Sequence, residues 1–232
     1  MKSKIFFPYL IAATCGVLIL NSCSKDEDTT APVVTLNGAS SVELSLGTSS
    51  YSDPGATASD AEDGSVTVSS DFSSTNPNLN SANTYTITYS ATDAAGNTGT
   101  ATRSVRIKND AEDYAGTYAV EDSVDGVLVF NYSQVVTVDN VVNNRIHFNK
   151  FADYANNTGI YATKRGDGNI EIPSQTGLSI GTSNGQSCSV ADHTFFSLAP
   201  STVSLNGFTI TYSDDNLCNA LPASTGVMHF SK

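Results

Sequence analysis

The chain has 232 residues, 39% of them hydrophobic and only 15% charged, with 23 acidic side chains against 11 basic ones and no Trp. That length suits one large or two small domains, and a composition in which Ser, Thr, Asn and Gly replace charge suits strands and turns better than helices. The formal charge of -12 repels a phosphate backbone, and no long run of Lys or Arg offsets it locally, which excludes nucleic acid as a partner.

Lys2 and Lys4 precede a mainly apolar stretch from Ile5 to Leu20, the anatomy of a secretory signal peptide. Roughly 16 apolar residues interrupted by Pro8 fall short of the ~20 that span a bilayer. Leu20-Asn21-Ser22-Cys23 resembles the bacterial lipobox, in which a small residue precedes a Cys that is diacylated and then becomes the mature N-terminus. The resemblance implies a lipoprotein signal peptide over 1–22, cleavage before Cys23, and palmitate-type acyl chains on its thiol. Cys15 is the competing position, but cleavage there leaves Gly16 to Leu20 as an exposed apolar tail. Ser24-Lys25-Asp26-Glu27-Asp28 is similar to the export signal behind the lipidated Cys of Bacteroidota surface lipoproteins. It implies an acidic tether over 23–30 and a protein anchored in the outer membrane, facing the cell exterior. Three acyl chains would hold far more firmly than one, which binds only marginally.

Processing consumes Cys15 and Cys23 and leaves Cys188 and Cys218. In an exported protein this pair reads as one structural disulfide. Closing a loop of about 30 residues stabilises a fold by roughly 3 to 4 kcal/mol in the chain-entropy model. No His stands at close ligand spacing from either Cys, which disfavours a metal site.

From residue 31 the chain reads as strands. Val33, Val34 and Leu36 end at the turn signal Asn37-Gly38, and Val42, Leu44 and Leu46 alternate with Glu43 and Ser45. Ser52-Asp53-Pro54-Gly55 is a turn; Val66 and Val68 alternate again, as do Tyr85, Ile87 and Tyr89; Ala94 to Asn97 turns, and Val105 and Ile107 close the segment. About seven short strands with turn signals between them predict an Ig-like β-sandwich over 31–108. The segments Tyr51 to Asp60, Asp63-Gly64 and Tyr85 to Asn97 resemble the bacterial Ig-like repeat also found in an insecticidal crystal toxin. That family implies a spacer or adhesive module and no catalysis. Asp53, Asp60, Asp63 and Asp93, with Glu62, are candidates for a calcium site at one end of the sandwich. Asp-Pro-Gly and Asp-Gly are also ordinary turn chemistry. No loop of regularly spaced oxygen ligands appears, so the turn reading is preferred and no metal is expected.

Lys108 to Asp113 reads as a short polar linker. Beyond it, eight or nine strands are predicted at 116–124, 127–138, 144–151, 158–164, 168–172, 176–182, 187–198, 202–212 and 225–231. An all-β region of this kind over 112–232 fits an antiparallel β-barrel, whose closure removes exposed edges. Tyr114 to Tyr118, Gly168 to Gln175 and the late Cys218 look like the C-terminal, lipocalin-like barrel domains of Bacteroidota surface lipoproteins, which implies architecture rather than activity.

No catalytic motif is present. His147, His193 and His229 are scattered, His193 and Asp192 point to opposite faces of a strand, and Asp167 sits in a turn while Glu171 alternates with Ile170 and Ile172. The sequence therefore predicts a non-enzyme without a cofactor: a surface lipoprotein with a binding or accessory role, its ligand a glycan or a protein such as an outer-membrane transporter. A structural component of an envelope complex is the rival, and a secreted hydrolase the more distant one. Tyr154 and Tyr161, flanking a polar turn, are the best exposed aromatic platforms for a sugar, although the missing Trp argues for core packing.

Overall fold

The computed structural model describes residues 27–151, 159–176, 182–183, 186–187, 193–198, 201–204, 206–216 and 224–232. Cys23, Tyr154, Cys188, Asp192 and Cys218 lie outside the described residues, so lipidation, the disulfide and one of the two aromatic candidates have no geometry here. The chain is all-β, an Ig-like domain followed by a nearly closed antiparallel barrel.

Seven strands make the first domain. One sheet holds β1 (Val33–Leu36), β3 (Ala56–Asp60) and β4 (Gly64–Val66) in the order β1-β3-β4; the other holds β2 (Ser41–Ser45), β5 (Val68–Ser70), β6 (Asn83–Thr92) and β7 (Thr98–Lys108) in the order β2-β7-β6-β5. All pairings are antiparallel except β2 with β7. The alternation read in β6 places Ile87, Tyr89 and Ala91 inside, where they meet Val105 and Ile107 of β7 and Leu46. Gly55 sits at φ +77°, the left-handed position after Pro that a type II turn requires. One feature is added: a single helical turn, α1 (Phe72–Thr75), whose Phe72 ring packs edge-on against Tyr51.

The connector that reads as a polar linker is instead a packed junction. Asn109 is 1% exposed and Ala111 fully buried. The Asn109 side-chain amide donates to the carbonyls of Asp139 (2.8 Å) and Val142 (2.9 Å), and its oxygen accepts from the amides of Ala111 and Asn144. Asn83's neighbour Ala82 donates its amide to Asn140 in the second domain, and Arg106 and Lys108 of β7 pair with both Glu43 and Glu112. Polar composition was a poor guide because an Asn that satisfies backbone groups is as buried as an apolar residue.

The second domain runs β8 (Gly116–Val124), β9 (Val127–Val138), β10 (Arg145–Phe148), β11 (Tyr161–Lys164), β12 (Ile170–Glu171), β13 (Gln175–Thr176), a side hairpin β14 (Thr182–Ser183) and β15 (Gln186–Ser187), β16 (His193–Ser197), β17 (Thr202–Ser204), β18 (Gly207–Asn216) and β19 (Ser224–Ser231). The sheet order β12-β11-β10-β9-β8-β19-β18-β16-β13 follows the chain around a ring, with β19 closing onto β8. The two ends of this path, β12 and β13, share no strand pairing among the described residues. Near them the Ile170 and Ile172 carbonyls accept from Ser201 and Ser197, and the Gln175 side chain bonds both backbone groups of Tyr161. The strand expected at 202–212 is two, β17 and β18, folded back at Asn206. Inside the ring, Tyr118, Phe148, Phe151, Phe208, Tyr212 and Phe230 pack with Ile146, Ile160, Ile170, Ile210 and Met228. The Phe208 and Phe230 rings stack at 4.3 Å. Among the described residues, the barrel interior is a packed core.

Candidate functional site

Three carboxylates converge at the end of the Ig-like domain where the chain enters. One oxygen from each of Asp28, Asp60 and Asp63 lies within 4.8 Å of the others. Asp60 ends β3, and its Oδ1 accepts the amides of Glu62 (2.9 Å) and Asp63 (3.2 Å), the turn chemistry expected of an Asp before a tight reversal. Its Oδ2 is buried with no partner among the described residues. Asp63 accepts the Ala94 amide at 2.7 Å, which draws the β3–β4 turn onto the β6–β7 turn. Asp28 comes from the tether, held there because the Asn97 side-chain amide donates to its carbonyl (3.0 Å). Desolvation and then the charges of Asp28 and Asp60 hold the Glu62 carboxyl above its usual range.

The four aspartates singled out in the sequence thus divide. Asp60 and Asp63 share the cluster, and Asp93 lies beside it with both oxygens on Asn97 (2.7 and 3.0 Å). Desolvation raises the Asp93 carboxyl, but the side chain and amide of Asn97 and the neighbouring turn amides outweigh it and leave it below the normal range. Asp53 is elsewhere. It forms a buried ion pair with Arg103 and accepts from the Tyr89 hydroxyl at 2.6 Å and the Gly55 amide at 3.2 Å. Burial, then the hydrogen bond to Asp53, pushes the Tyr89 phenol well up, so it stays a donor. Arg103 is 0% exposed and also donates to the carbonyls of Asn37 and Ala39. Sequence reasoning missed it, although Arg103 shares the inward phase of Val105 and Ile107 on β7. Asp28 was also missed as a site residue, because a tether residue gives no sign of folding back.

In the barrel, Tyr161 is half-buried, and the Arg145 guanidinium covers one face of its ring at 4.1 Å. His147 reaches Asp139 Oδ2 at 3.0 Å, His229 contacts Thr209 at 3.0 Å, and Glu171 pairs with Arg165, which also approaches Asp167 at 3.7 Å. Asp167 and Glu171 are therefore tied to one Arg rather than arranged as an acid and a base. His193 lies on β16. A cleft of about 230 Å³ at the junction end is lined by Asp113, Tyr114, Tyr118, Lys164, Phe208 and Lys232. It is smaller than the ~300 Å³ at which small-molecule pockets begin. Its two ammonium groups already donate to backbone carbonyls, Lys164 to Asp110 and Lys232 to Asp113 and Ala115.

The sandwich belongs to a known domain class: residues 34–107 match the family described as the bacterial surface protein Ig-like domain. No curated protein matches the chain. Among solved structures, the chain is similar to the lipoprotein BT2262 of Bacteroides thetaiotaomicron at 14% identity and a TM-score of 0.34, covering 86% of this chain and all of that one. It is also similar to a part of ZmpB from Clostridium perfringens that contains a CBM51 domain in complex with GlcNAc and INT domains, at 14% identity and a TM-score of 0.25, covering 86% of this chain and 43% of that one.

Proposed function

We propose that this chain is a non-enzymatic lipoprotein, anchored in the outer membrane through acylated Cys23 and facing the cell exterior, in which the Ig-like domain is a spacer and the barrel carries recognition. The observation that carries this reading is the polarity of the Ig-like domain. The tether meets it at the Asp93–Asn97 turn, where β7 begins, and the barrel docks at Lys108, where β7 ends. Eleven extended residues of β7 set these two attachments roughly 33 Å apart at about 3.3 Å per residue.

A domain class found in bacterial surface proteins supports the location, and the lipobox-like segment supports the anchor. The partner is a glycan or another envelope protein, such as an outer-membrane transporter, met by the outer surface of the barrel, since its described inward side chains pack as a core. His147, His229, Glu171 and Asp167 all have structural partners, which supports a binding rather than a catalytic role. The packed junction favours a second reading, a structural component that holds its barrel at a fixed distance within an envelope complex. Replacing Cys23 by Ala should move the protein from the membrane fraction to the soluble one, and protease added to intact cells should digest the wild type. A membrane-bound Cys23→Ala variant, or a wild type that survives the protease, refutes the anchor or the exposure respectively. A glycan array set beside a pull-down from solubilised membranes separates recognition from assembly.

A further inference from the structure

We infer that Asp28, Asp60 and Asp63 form a calcium site that ties the N-terminal tether to the Ig-like domain. Acidic clusters are common on surfaces, and this one differs in a single respect: Asp60. The residue is 9% exposed, and after its Oδ1 has taken two turn amides its Oδ2 remains buried without a partner among the described residues. A buried carboxylate oxygen with no donor is costly, and a turn would need only the oxygen already used. Among the described residues no Lys, Arg or His pairs with Asp60, and the charged groups around it are the carboxylates of Asp28, Asp63 and Glu62.

The donor set is all oxygen, which selects a hard cation. Ligand oxygens that lie within 4.8 Å of one another can share one ion with bonds of about 2.3–2.6 Å, the calcium range, and calcium accepts irregular geometry where magnesium demands a near-ideal octahedron. Three carboxylates leave several of the six to eight calcium positions to water. Asp63 and Asp28 are pre-positioned by contacts that, among the described residues, leave carboxylate capacity over: Asp63 accepts one amide, from Ala94, and Asp28 accepts that of Thr30. The ion would therefore join three separate pieces of chain, the tether, the end of β3 and the β3–β4 turn. On the anchoring proposed above, it fixes the chain five residues after Cys23 and so limits how the sandwich swivels on its lipid.

The test is calorimetric titration of chelator-stripped, detergent-solubilised full chain with Ca²⁺, and separately with Mg²⁺, with hydrogen exchange read at Thr29 and Thr30. One Ca²⁺ should bind with a dissociation constant near 10⁻⁴ to 10⁻³ M, roughly that of extracellular modules, and exchange at both threonines should slow. Asp60→Asn keeps an oxygen for the turn amides, and Asp28→Asn sits on the tether where it cannot unfold the sandwich; each should weaken binding about tenfold or more, as ligand charge sets calcium affinity. No uptake by the wild type at 10 mM, roughly ten times the weakest of these constants, overturns the site, as does unchanged affinity in either variant. Equal affinity for Mg²⁺ overturns the assignment to calcium. None of these readouts depends on acylation, so the site and the anchor fail separately.

Discussion

The most demanding prediction concerns Arg103, a fully buried cation whose partner Asp53 has only 6% of its side chain exposed. Arg103→Met keeps an unbranched apolar stem but removes the guanidinium and its charge. The Asp53 carboxylate is then left in the core beside Tyr89, and the carbonyls of Asn37 and Ala39 lose their donor. Breaking a buried pair from one side costs about 3 to 5 kcal/mol, because the remaining charge is uncompensated. Against a total stability of roughly 5 to 15 kcal/mol for a domain, that is a large share. At about 4–8 °C per kcal/mol for a domain of this size, melting should fall by at least ~12 °C. The assay is chemical denaturation of the full chain, with exchange at the Ile87, Tyr89 and Val105 amides to assign the loss to this domain. Adding Asp53→Asn to the Met variant removes the stranded charge while keeping acceptors for Gly55 and Tyr89, so the double variant should be more stable than Arg103→Met alone. A single-variant loss below about 1 kcal/mol, the value of an exposed pair, or a double variant less stable than the single, refutes the reasoning.

Asn109→Ala strips hydrogen bonds from five backbone groups at the junction, two of which, the Asn144 amide and the Arg145 carbonyl, keep another partner; at about 1–3 kcal/mol for each buried group left unsatisfied, and with partial repair by water, a loss of about 2 to 4 kcal/mol is expected. Small-angle scattering should then report a wider spread of interdomain distances, and an unchanged profile would show that the two domains are held by other contacts. Asp139 gives a pH dependence. Burial raises its carboxyl, but the Val141 and Val142 amides and His147 outweigh this and leave it below the usual range. A folded pKa below the unfolded value of about 3.9 means stability present above pH ~4 and lost as pH falls through the folded value. The gap in denaturation midpoint between wild type and Asp139→Asn should therefore shrink as pH falls from 5 to 3, and a gap that is constant or grows contradicts the sign.

The sequence carried the sandwich because its strands have one wet face. Ile87 and Tyr89 alternate with Thr86 and Thr88 and land inside as the period requires, and the turns at Gly38, Gly55 and Gly96 fall where φ is positive. The barrel was legible as a class and blurred at its strand ends. In the 202–212 segment the apolar phase shifts from Val203 and Leu205 to Phe208, Ile210 and Tyr212 across Asn206-Gly207, a break that a single strand over this segment passes over. The polar residues were the hard part. Arg103 on β7 and Asp122 on β8 occupy inward phases and are fully buried, yet a charge on an inward position looks like an error in register until its partner is known. For Arg103 that partner is fifty residues away, and for Asp122 the Tyr212 hydroxyl that donates to it is ninety away. Separation of this kind is invisible to spacing. The same applies to Asp28, which meets Asp60 only because Asn97 holds its carbonyl.

A spacer sets the position of what it carries only when neither end pivots freely, and the two ends of this sandwich meet that requirement by different chemistry. At the barrel end the contacts are permanent: the Asn109 side chain bonds backbone groups of the second domain, while Glu43, Arg106, Lys108 and Glu112 tie β2 and β7 to the start of that domain. These exposed ion pairs are worth little singly, so the buried Asn must carry the junction. At the membrane end, the contacts among the described residues are Asn97 to the Asp28 carbonyl and the crowding of three like charges, which repel. That end is stiff only when a cation neutralises them. On the proposed anchoring and calcium site, this asymmetry would make the barrel's placement insensitive to ionic conditions and the angle of the whole molecule on its anchor sensitive to them, so divalent cation should change the attitude of the protein at the membrane without changing its internal geometry.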